Sequence, residues 1–203
     1  MKIALLLIAV GVLAVAVLTV LWLRSGPDPA QFAHLKDPRI TRMQDQKMLV
    51  VEASGDPNIV GSRAFGLLFS TYYKLDGVSR RQRPPAPRAR WPRPADTPKQ
   101  QWVGHYALPV PEGVSALPST NTDPELPTAL TTWTYGEVAE ILHVGPYSNE
   151  EADIRRLLEF VESKGYRVIG EHEEEYVRGP GMIFAGDANK YLTIIRVRVE
   201  KTP

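Results

Sequence analysis

The sequence predicts an α+β fold of duplicated strand–helix–strand–strand units, preceded by one N-terminal transmembrane helix. Three features predict it: an uncharged apolar run at the start, helical periodicity in two later segments, and the same order of segments around each of them. Because each unit has several strands and one helix, we expect one antiparallel sheet with both helices on one face. The other face is expected to form a concave groove.

The transmembrane helix is predicted from an uncharged apolar run over residues 3–23, with Trp22 near its end. At about 1.5 Å per residue, such a helix covers the roughly 30 Å hydrocarbon core of a bilayer. A signal peptide is the alternative, but its apolar region spans only about 7–15 residues. We therefore expect a single-pass membrane protein, with residues 1–24 as the anchor and 25–38 as a proline-containing tether. Basic residues on both sides leave the side of the membrane open, although their count favours the cytoplasm.

The folded part is expected to cover residues 39–203, and its first half residues 39–112. A strand is predicted around the apolar residues 48–51 and is followed by a turn of Asp, Pro and Asn. Residues 60–75 have helical length and helical apolar spacing. A further strand is predicted over residues 102–110, which completes the first unit.

The second half is expected to cover residues 130–203, after a linker over residues 113–129. A strand over residues 131–144 leads to a helix whose start has a capping box of Ser148 and Glu151. Two more strands are predicted over residues 167–177 and 191–199. The segment order is the same as in the first half, so the two halves are expected to be related by duplication.

Composition excludes several classes of function. The chain has no cysteine, which excludes disulfides and thiolate chemistry. Its four histidines lack the paired spacing of metal ligands, and no phosphate-binding loop, nucleophile elbow or dinucleotide fingerprint is present. We therefore expect neither a metal nor a cofactor. Lys and Arg total 24 against 23 Asp and Glu, so no net positive field indicates nucleic-acid binding.

The second half carries a recognisable set of short motifs. They are HVGPY at residues 143–147, a following helix, Gly165-Tyr166, Glu174-Glu175-Tyr176 and the strand at residues 193–197. This pattern resembles the GyrI-like small-molecule-binding domain, a family that includes the effector-binding halves of AraC- and MerR-type multidrug regulators. The resemblance covers residues 133–200 and implies a pseudo-symmetric sheet whose groove takes amphipathic, often cationic aromatic molecules. The family commonly has a glutamate after the final-strand threonine, where this chain has Ile194.

Strand alternation gives an independent view of the groove. In the last strand Ile195, Val197 and Val199 share one face, which is expected to pack against the helices, so the alternate residues face the groove. The same register puts His105 in the groove opposite Ile194. Taken with the family motifs, the candidate ligand-binding residues are Trp133, Tyr147, Tyr176, Glu175, Glu140, Glu52, His105, Ile194 and Arg196. Core packing of the aromatic side chains and cross-strand pairing of the charged ones are the alternatives.

A basic, proline-rich segment at residues 80–94 has no acidic residue. Behind a membrane anchor, it could press onto anionic lipid headgroups through Arg80, Arg81, Arg83, Arg88, Arg90 and Trp91. A contact with another protein is a second possibility, and a loop whose arginines pair with the acidic residues 171–175 is a third.

The function predicted from the sequence is a membrane-anchored module that binds or senses a small amphipathic molecule without catalysis. A hydrolase acting in the same groove is the first alternative, with Glu175 or Glu140 as the base beside Tyr176. A membrane-tethered adaptor for another protein is the second. Whether the chain is an enzyme is left open.

Overall fold

The computed structural model describes residues 27–80, 82–93, 97–119, 123–180 and 186–203. The chain divides into a unit of residues 1–33 and a unit of residues 34–203. The described part of the first unit, residues 27–33, enters a 3₁₀ helix, Pro29–Leu35. The remainder of the description concerns the second unit.

The predicted membrane localisation is corrected by the structure. Within the described ranges no helix is long and apolar enough to cross a bilayer. The run at residues 3–23, on which that prediction depended, lies outside the described residues. The expected contact with a lipid bilayer therefore has no support.

The second unit contains nine strands and two α-helices among its described residues. In chain order they are β1 (Arg39–Met43), β2 (Gln46–Ser54), α1 (Pro57–Tyr72), β3 (Arg88–Trp91), β4 (Val103–Pro109), β5 (Thr128–Trp133), β6 (Gly136–Val144), α2 (Glu151–Ser163), β7 (Tyr166–Val168), β8 (His172–Arg178) and β9 (Leu192–Lys201). The strands lie in the order β1-β6-β9-β8-β3-β4-β2-β5, with β7 paired to β9. Every pairing is antiparallel, which confirms the predicted α+β class and sheet type.

Two short links make this sheet curl. Residues 44–45 join β1 to β2, although these strands lie at or near opposite ends of the sheet order. Residues 134–135 join β5 to β6 in the same way, so the predicted strand over 131–144 is divided in two. The backbone of Tyr135 donates a hydrogen bond to Asp45 Oδ1 at 3.0 Å, which holds the two links together. A flat sheet cannot satisfy both links, so the sheet folds around its inner face.

The two halves match in detail. Each has a strand, a glycine, a helix, and a short 3₁₀ helix before its last strand. Gly55 N donates to Trp102 O at 2.9 Å, and Gly145 N donates to Tyr191 O at 3.1 Å. Both glycines have positive φ, 124° and 140°, a conformation that side chains disfavour. The halves join where β3 pairs with β8, and also where β1 pairs with β6 and β2 with β5.

Both helices pack on the outer face of the sheet. Leu68 of α1 lies in one apolar cluster with Leu49 and Leu108, and Leu157 of α2 lies in another with Ile141 and Ile195. Val197 and Val199 join the second cluster, as strand alternation predicted.

The helix starts differ from the prediction in one respect. Asp56 caps α1 by accepting from Asn58 N, whereas the expected capping box of Ser148 and Glu151 does not form. Ser148 lies in a 3₁₀ turn, Tyr147–Asn149, and α2 begins after it.

One position shows how tightly the first half is packed. A Cβ added to Gly104 would lie 2.7 Å from Tyr106 Cε2 and 2.9 Å from Trp91 Cζ3, both atoms of buried rings. We predict that Gly104→Ala lowers the free energy of unfolding by about 1–3 kcal/mol, because buried rings cannot move without leaving their own contacts.

Urea denaturation measures this loss. Gly113→Ala is the matched control, since nothing lies within 4 Å of its added Cβ. Equal midpoints for both variants would show that the Tyr106 and Trp91 rings yield freely.

Candidate functional site

The inner face of the sheet holds a buried ion network. Arg196, which is 4% exposed, donates to Glu140 Oε2 from Nε and Nη2, and to Glu173 Oε1 at 2.9 Å from Nη1. Its Nη1 also lies 3.3 Å from Glu175 Oε2. Burial alone would lower the pKa of Arg196, but Glu175, Glu173 and Glu140 raise it above the ordinary value. These charges are held together because each carboxylate faces at least one guanidinium.

Two arginines of β3 and two aromatic side chains complete this network. Arg90 Nε donates to Glu173 Oε2 at 2.8 Å, and Arg88 Nε lies 3.2 Å from Glu175 Oε2. The Arg90 guanidinium carbon lies 4.0 Å from the centre of the Trp133 ring. Tyr135 OH donates to Glu173 Oε1 at 3.0 Å. Around the ion network the predicted concave groove is therefore wrong: the curl of the sheet buries this part of the face, and side chains fill it. Glu52 and His105, on the same face, remain partly exposed.

This placement separates two of the nine residues predicted to bind a ligand, Tyr147 and Tyr176, from the other seven, which share the inner face of the sheet. Glu140, Glu175, Arg196 and Trp133 belong to the inner ion network, and Ile194 lies beside them at 5% exposure. His105 and Glu52 face each other on the same side of the sheet, with Nε2 and Oε2 3.5 Å apart.

The residues considered for a hydrolase do not converge either. Glu175 and Glu140 are held by arginines on the inner face, whereas the Tyr176 hydroxyl bonds to Glu174 on the outer face. Neither carboxylate can act as a base beside Tyr176, because the sheet lies between them.

The basic segment does not form one exposed surface. Arg88 and Arg90 point into the inner network and Trp91 is 9% exposed, because strand alternation in β3 buries both of its faces. Arg80 donates to the carbonyl oxygen of Tyr73, and Arg81 lies outside the described residues. Arg83 is exposed. The predicted lipid-facing set is therefore split between the protein interior and its surface.

The outer face carries a row of aromatic rings across the junction of the two halves. Neighbouring ring centres are between 5.0 and 5.8 Å apart. In order, the rings are Trp102, Trp91, Tyr106, Phe65, Tyr176, Tyr147 and Tyr191. We call this set the aromatic row. Phe65 comes from α1 and Tyr147 from the turn before α2, so the row connects the two helices above β3 and β8.

One carboxylate lies in the middle of the aromatic row. Glu174 Oε1 accepts from Trp91 Nε1 and faces His172 Nε2, both at 3.0 Å, and Oε2 accepts from Tyr176 OH at 2.6 Å. Burial raises the pKa of Tyr176 well above its ordinary value, and Glu174 adds to this effect. Tyr176 therefore stays protonated and serves as a donor.

A second carboxyl group at the row has no such partners. Glu150 is 6% exposed, and its Oε1 has no hydrogen-bond partner among the described residues. The fully buried Thr193 hydroxyl lies close by and is also unpartnered there. Burial raises the pKa of Glu150 to about 8; Glu174 adds to the rise, and the Thr193 hydroxyl opposes it without forming a hydrogen bond of normal geometry. A protonated carboxyl group at neutral pH can donate a hydrogen bond or a proton.

Hydrogen bonds in the turn before α2 hold the end of the aromatic row that contains Tyr147. His143 Nδ1 lies 2.8 Å from Asp153 Oδ2, and its Nε2 lies 3.2 Å from Pro146 O, which ties the turn before α2 to the helix. Tyr147 is 39% exposed and is the most exposed ring of the row. Burial of its hydroxyl end raises the pKa of Tyr147. The Tyr147 ring therefore forms the solvent-exposed side of the site.

A cavity elsewhere in the fold and a metal site have less support from the structure than the aromatic row. A cavity of about 200 Å³ is lined by Glu52, Arg63 and Leu126 among others, but Arg63 is already paired with Asp123 and Glu125. In the part of the chain that the structure describes, no group of three His, Asp or Glu side chains is placed to hold a metal. Buried atoms without a hydrogen-bond partner also occur in the inner ion network, at Arg88 Nε and Arg90 Nη2. We favour the aromatic row because its unpartnered Glu150 and Thr193 atoms lie beside the partly exposed Tyr147 ring.

Sequence reasoning named Tyr147 and Tyr176 but missed Glu150, Glu174, Thr193 and the other rings. For Glu174 a signal was present: in a strand it shares a face with Tyr176, whereas Glu175 faces the other way. No signal in the sequence separates Glu150 from the exposed Glu151 that follows it.

Comparisons with known proteins support the fold. No protein-family model matches the chain, and no curated protein matches its sequence. Among solved structures, a hydrolase from Listeria innocua has a TM-score of 0.61 at 20% identity, over 81% of this chain and 92% of that chain. The C-terminal domain of EcmrR has a TM-score of 0.60 at 14% identity, over 82% and 98%. SAV2435 bound to tetraphenylphosphonium has a TM-score of 0.51 at 10% identity, over 81% and 94%.

These likenesses show the fold. They confirm the α+β fold over both halves of the chain. The hydrolase and the EcmrR domain are each covered almost end to end.

The buried ion network should be sensitive to loss of its central cation. We predict that Arg196→Met lowers the free energy of unfolding by about 3–5 kcal/mol, because three carboxylates lose a shared partner inside the sheet. The change is measured by urea denaturation.

Arg155→Met is its control. Arg155 pairs with Glu151 on the surface of α2, where such a pair contributes only about 0.3–0.5 kcal/mol. A loss for Arg196→Met as small as the control loss would mean that the inner network does not stabilise the sheet.

Glu150 should make stability depend on pH. Its pKa is raised from 4.5 to about 8 in the folded state, so the unfolded chain releases this proton first as pH rises. Stability should therefore fall between about pH 4.5 and 8, by up to about 1.36 kcal/mol per pH unit, and level off above that. Glu150→Gln should remove this decline and be more stable than the parent at pH 8.

Melting temperatures of parent and variant from pH 4.5 to 8.5 measure the effect. Glu151→Gln, at an exposed neighbouring position, should keep the parental slope. Parallel curves for parent and Glu150→Gln would contradict the assignment.

Proposed function

We propose that this chain binds a small amphipathic molecule with an aromatic or other apolar body at the aromatic row. The observation that carries this proposal is the buried pair of unpartnered groups, Glu150 and Thr193, beside the partly exposed Tyr147 ring. An unpartnered buried polar atom costs about 1–3 kcal/mol, and a bound molecule that supplies the missing hydrogen bond removes this cost.

Three features of the row suit such a ligand. Aromatic faces supply a large, rigid apolar surface, and the carboxyl groups of Glu150 and Glu174 supply polar anchors. Five rings of the row belong to the apolar cluster under α1 or pack against it, whereas Tyr147 and Tyr191 lie outside both clusters. A change at the Tyr147 end of the row therefore need not disrupt either core. One protein of this fold supports the binding of such a molecule: SAV2435, which was solved with tetraphenylphosphonium.

A second candidate is hydrolysis at the same site. Glu150 has a pKa of about 8, so it retains a proton at neutral pH and could act as a general acid. A hydrolase from Listeria innocua has the same fold. This candidate requires turnover of an ester such as 4-nitrophenyl acetate by the purified protein, lost in Glu150→Gln and kept in Glu151→Gln.

Ligand binding is tested by calorimetric titration with 4-phenylbenzylamine and 4-phenylbenzyl alcohol. We predict one site per chain for at least one of the two. The affinity should fall about twofold to tenfold in Tyr191→Leu, because one aromatic contact contributes roughly 0.5–1.5 kcal/mol.

Tyr73→Leu is the control for this loss. Tyr73 lies at the end of α1, where its ring contacts Tyr72 outside the aromatic row. Binding of neither compound, or equal affinity in both variants, would overturn the proposed function.

A further inference from the structure

The strand order ends at β5, and the outer edge of this strand is unpaired among the described residues. β5 is last in the order and pairs only with β2. Glu52 N donates to Pro127 O, so every second residue from Pro127 onward bonds to β2. The backbone N–H and C=O groups of Thr128, Leu130 and Thr132 therefore point away from β2. In the part of the chain that the structure describes, none of these groups has a hydrogen-bond partner.

This edge lacks the features that keep strand edges from pairing with one another. Residues 128–133 contain no charged residue, proline or glycine, and their register with β2 has no bulge. Charged side chains, prolines and bulges are the usual protection of an edge strand. β1, at the other end of the strand order, carries the exposed charges of Arg39 and Arg42. Of the two ends, β5 is therefore the one open to a further strand.

We infer that the outer edge of β5 pairs antiparallel with the same edge of a second copy of this chain, so that two sheets join across a twofold axis at Leu130. This interaction surface is separate from the proposed ligand site, because no residue of β5 belongs to the aromatic row.

The order of the outward-pointing residues fits a second copy in particular. When two β5 strands pair about Leu130, Thr128 lies opposite Thr132 of the second copy, and Leu130 lies opposite its own counterpart. The outward residues read Thr, Leu, Thr in both directions, so one register satisfies all their backbone groups at once. An interface about a twofold axis must be self-complementary in this way, which a strand of unrelated sequence need not be.

The side chains are compatible with this pairing. Cross-strand threonine pairs are favourable, and no charge is brought opposite a like charge. Leu130 packs against the apolar cluster under α1 and is only partly buried, so a second Leu130 extends that cluster. Pairing over the six residues of β5 buries less than the roughly 1,200 Å² of a stable interface. The dimer is therefore weak, with a dissociation constant on the order of 100 μM.

The test is sedimentation equilibrium of the full chain between about 5 and 500 μM, a range that brackets this dissociation constant. We expect a monomer–dimer equilibrium. Thr128→Lys combined with Thr132→Lys should weaken it at least about tenfold, because each lysine then faces another lysine across the axis. The corresponding double glutamate variant should behave in the same way. An equimolar mixture of the two double variants should restore the dimer, because each lysine then faces a glutamate; a variant that had merely failed to fold would not be rescued.

Ser62→Lys combined with Ser70→Lys is the matched control, since it adds the same charge at exposed positions of α1. It should associate as the parent does. A parent that stays monomeric over the whole range would overturn the inference. Association that both double variants leave unchanged would also overturn it, because the contact would then lie on another surface. Association that is lost in both variants and absent from their mixture would contradict the β5 register and leave the edge to a strand of another protein.

Discussion

The structure depends on two tight links, residues 44–45 and 134–135, each of which takes the chain from one end of the sheet to the other. Since β1 pairs within the second half and β5 within the first, neither half has its own edge strand. The sheet must curl for both links to close. Curling turns one face into an interior, which explains why charged side chains there are buried and paired rather than open to solvent.

The buried ion network follows from the curl of the sheet, and burying its charges is unfavourable in itself. Burying three arginines and three glutamates is unfavourable unless every charge finds a partner, and apolar residues would pack there as well. The network therefore specifies pairing more than it adds stability. Arg196 reaches across from β9 to β6 and β8, and Arg88 and Arg90 reach across the junction of the halves to β8. A shifted register would leave these charges unpaired.

The two halves have the same framework of strands and helix, and they use it differently. Gly61, Leu68 and Tyr72 of the first half have the same spacing as Glu150, Leu157 and Val161 of the second, and Gly104 corresponds to Thr193. In the first half the Tyr106 ring fills the space that these glycines leave, with its hydroxyl toward Gly61. In the second half the corresponding strand residue is the smaller Ile195, and two polar groups stand where the glycines were. One half is thus filled by its own aromatic side chain, and the other carries two polar groups at the corresponding positions. In both halves the polar atoms there, Tyr106 OH, Glu150 Oε1 and Thr193 Oγ1, are buried without a hydrogen-bond partner among the described residues.

The sequence by itself determined the local features. Strand alternation identified the helix-facing residues Ile195, Val197 and Val199, and glycines before each helix indicated the two turns, because these depend only on neighbours along the chain. The motifs around Tyr147 and Tyr176 also pointed to the correct fold. Only the tertiary structure decided which face was closed, since the exchange of β1 and β5 between halves leaves no local trace. The same holds for Glu150: its burial comes from strands far away in sequence, and burial is what distinguishes it chemically from its exposed neighbour.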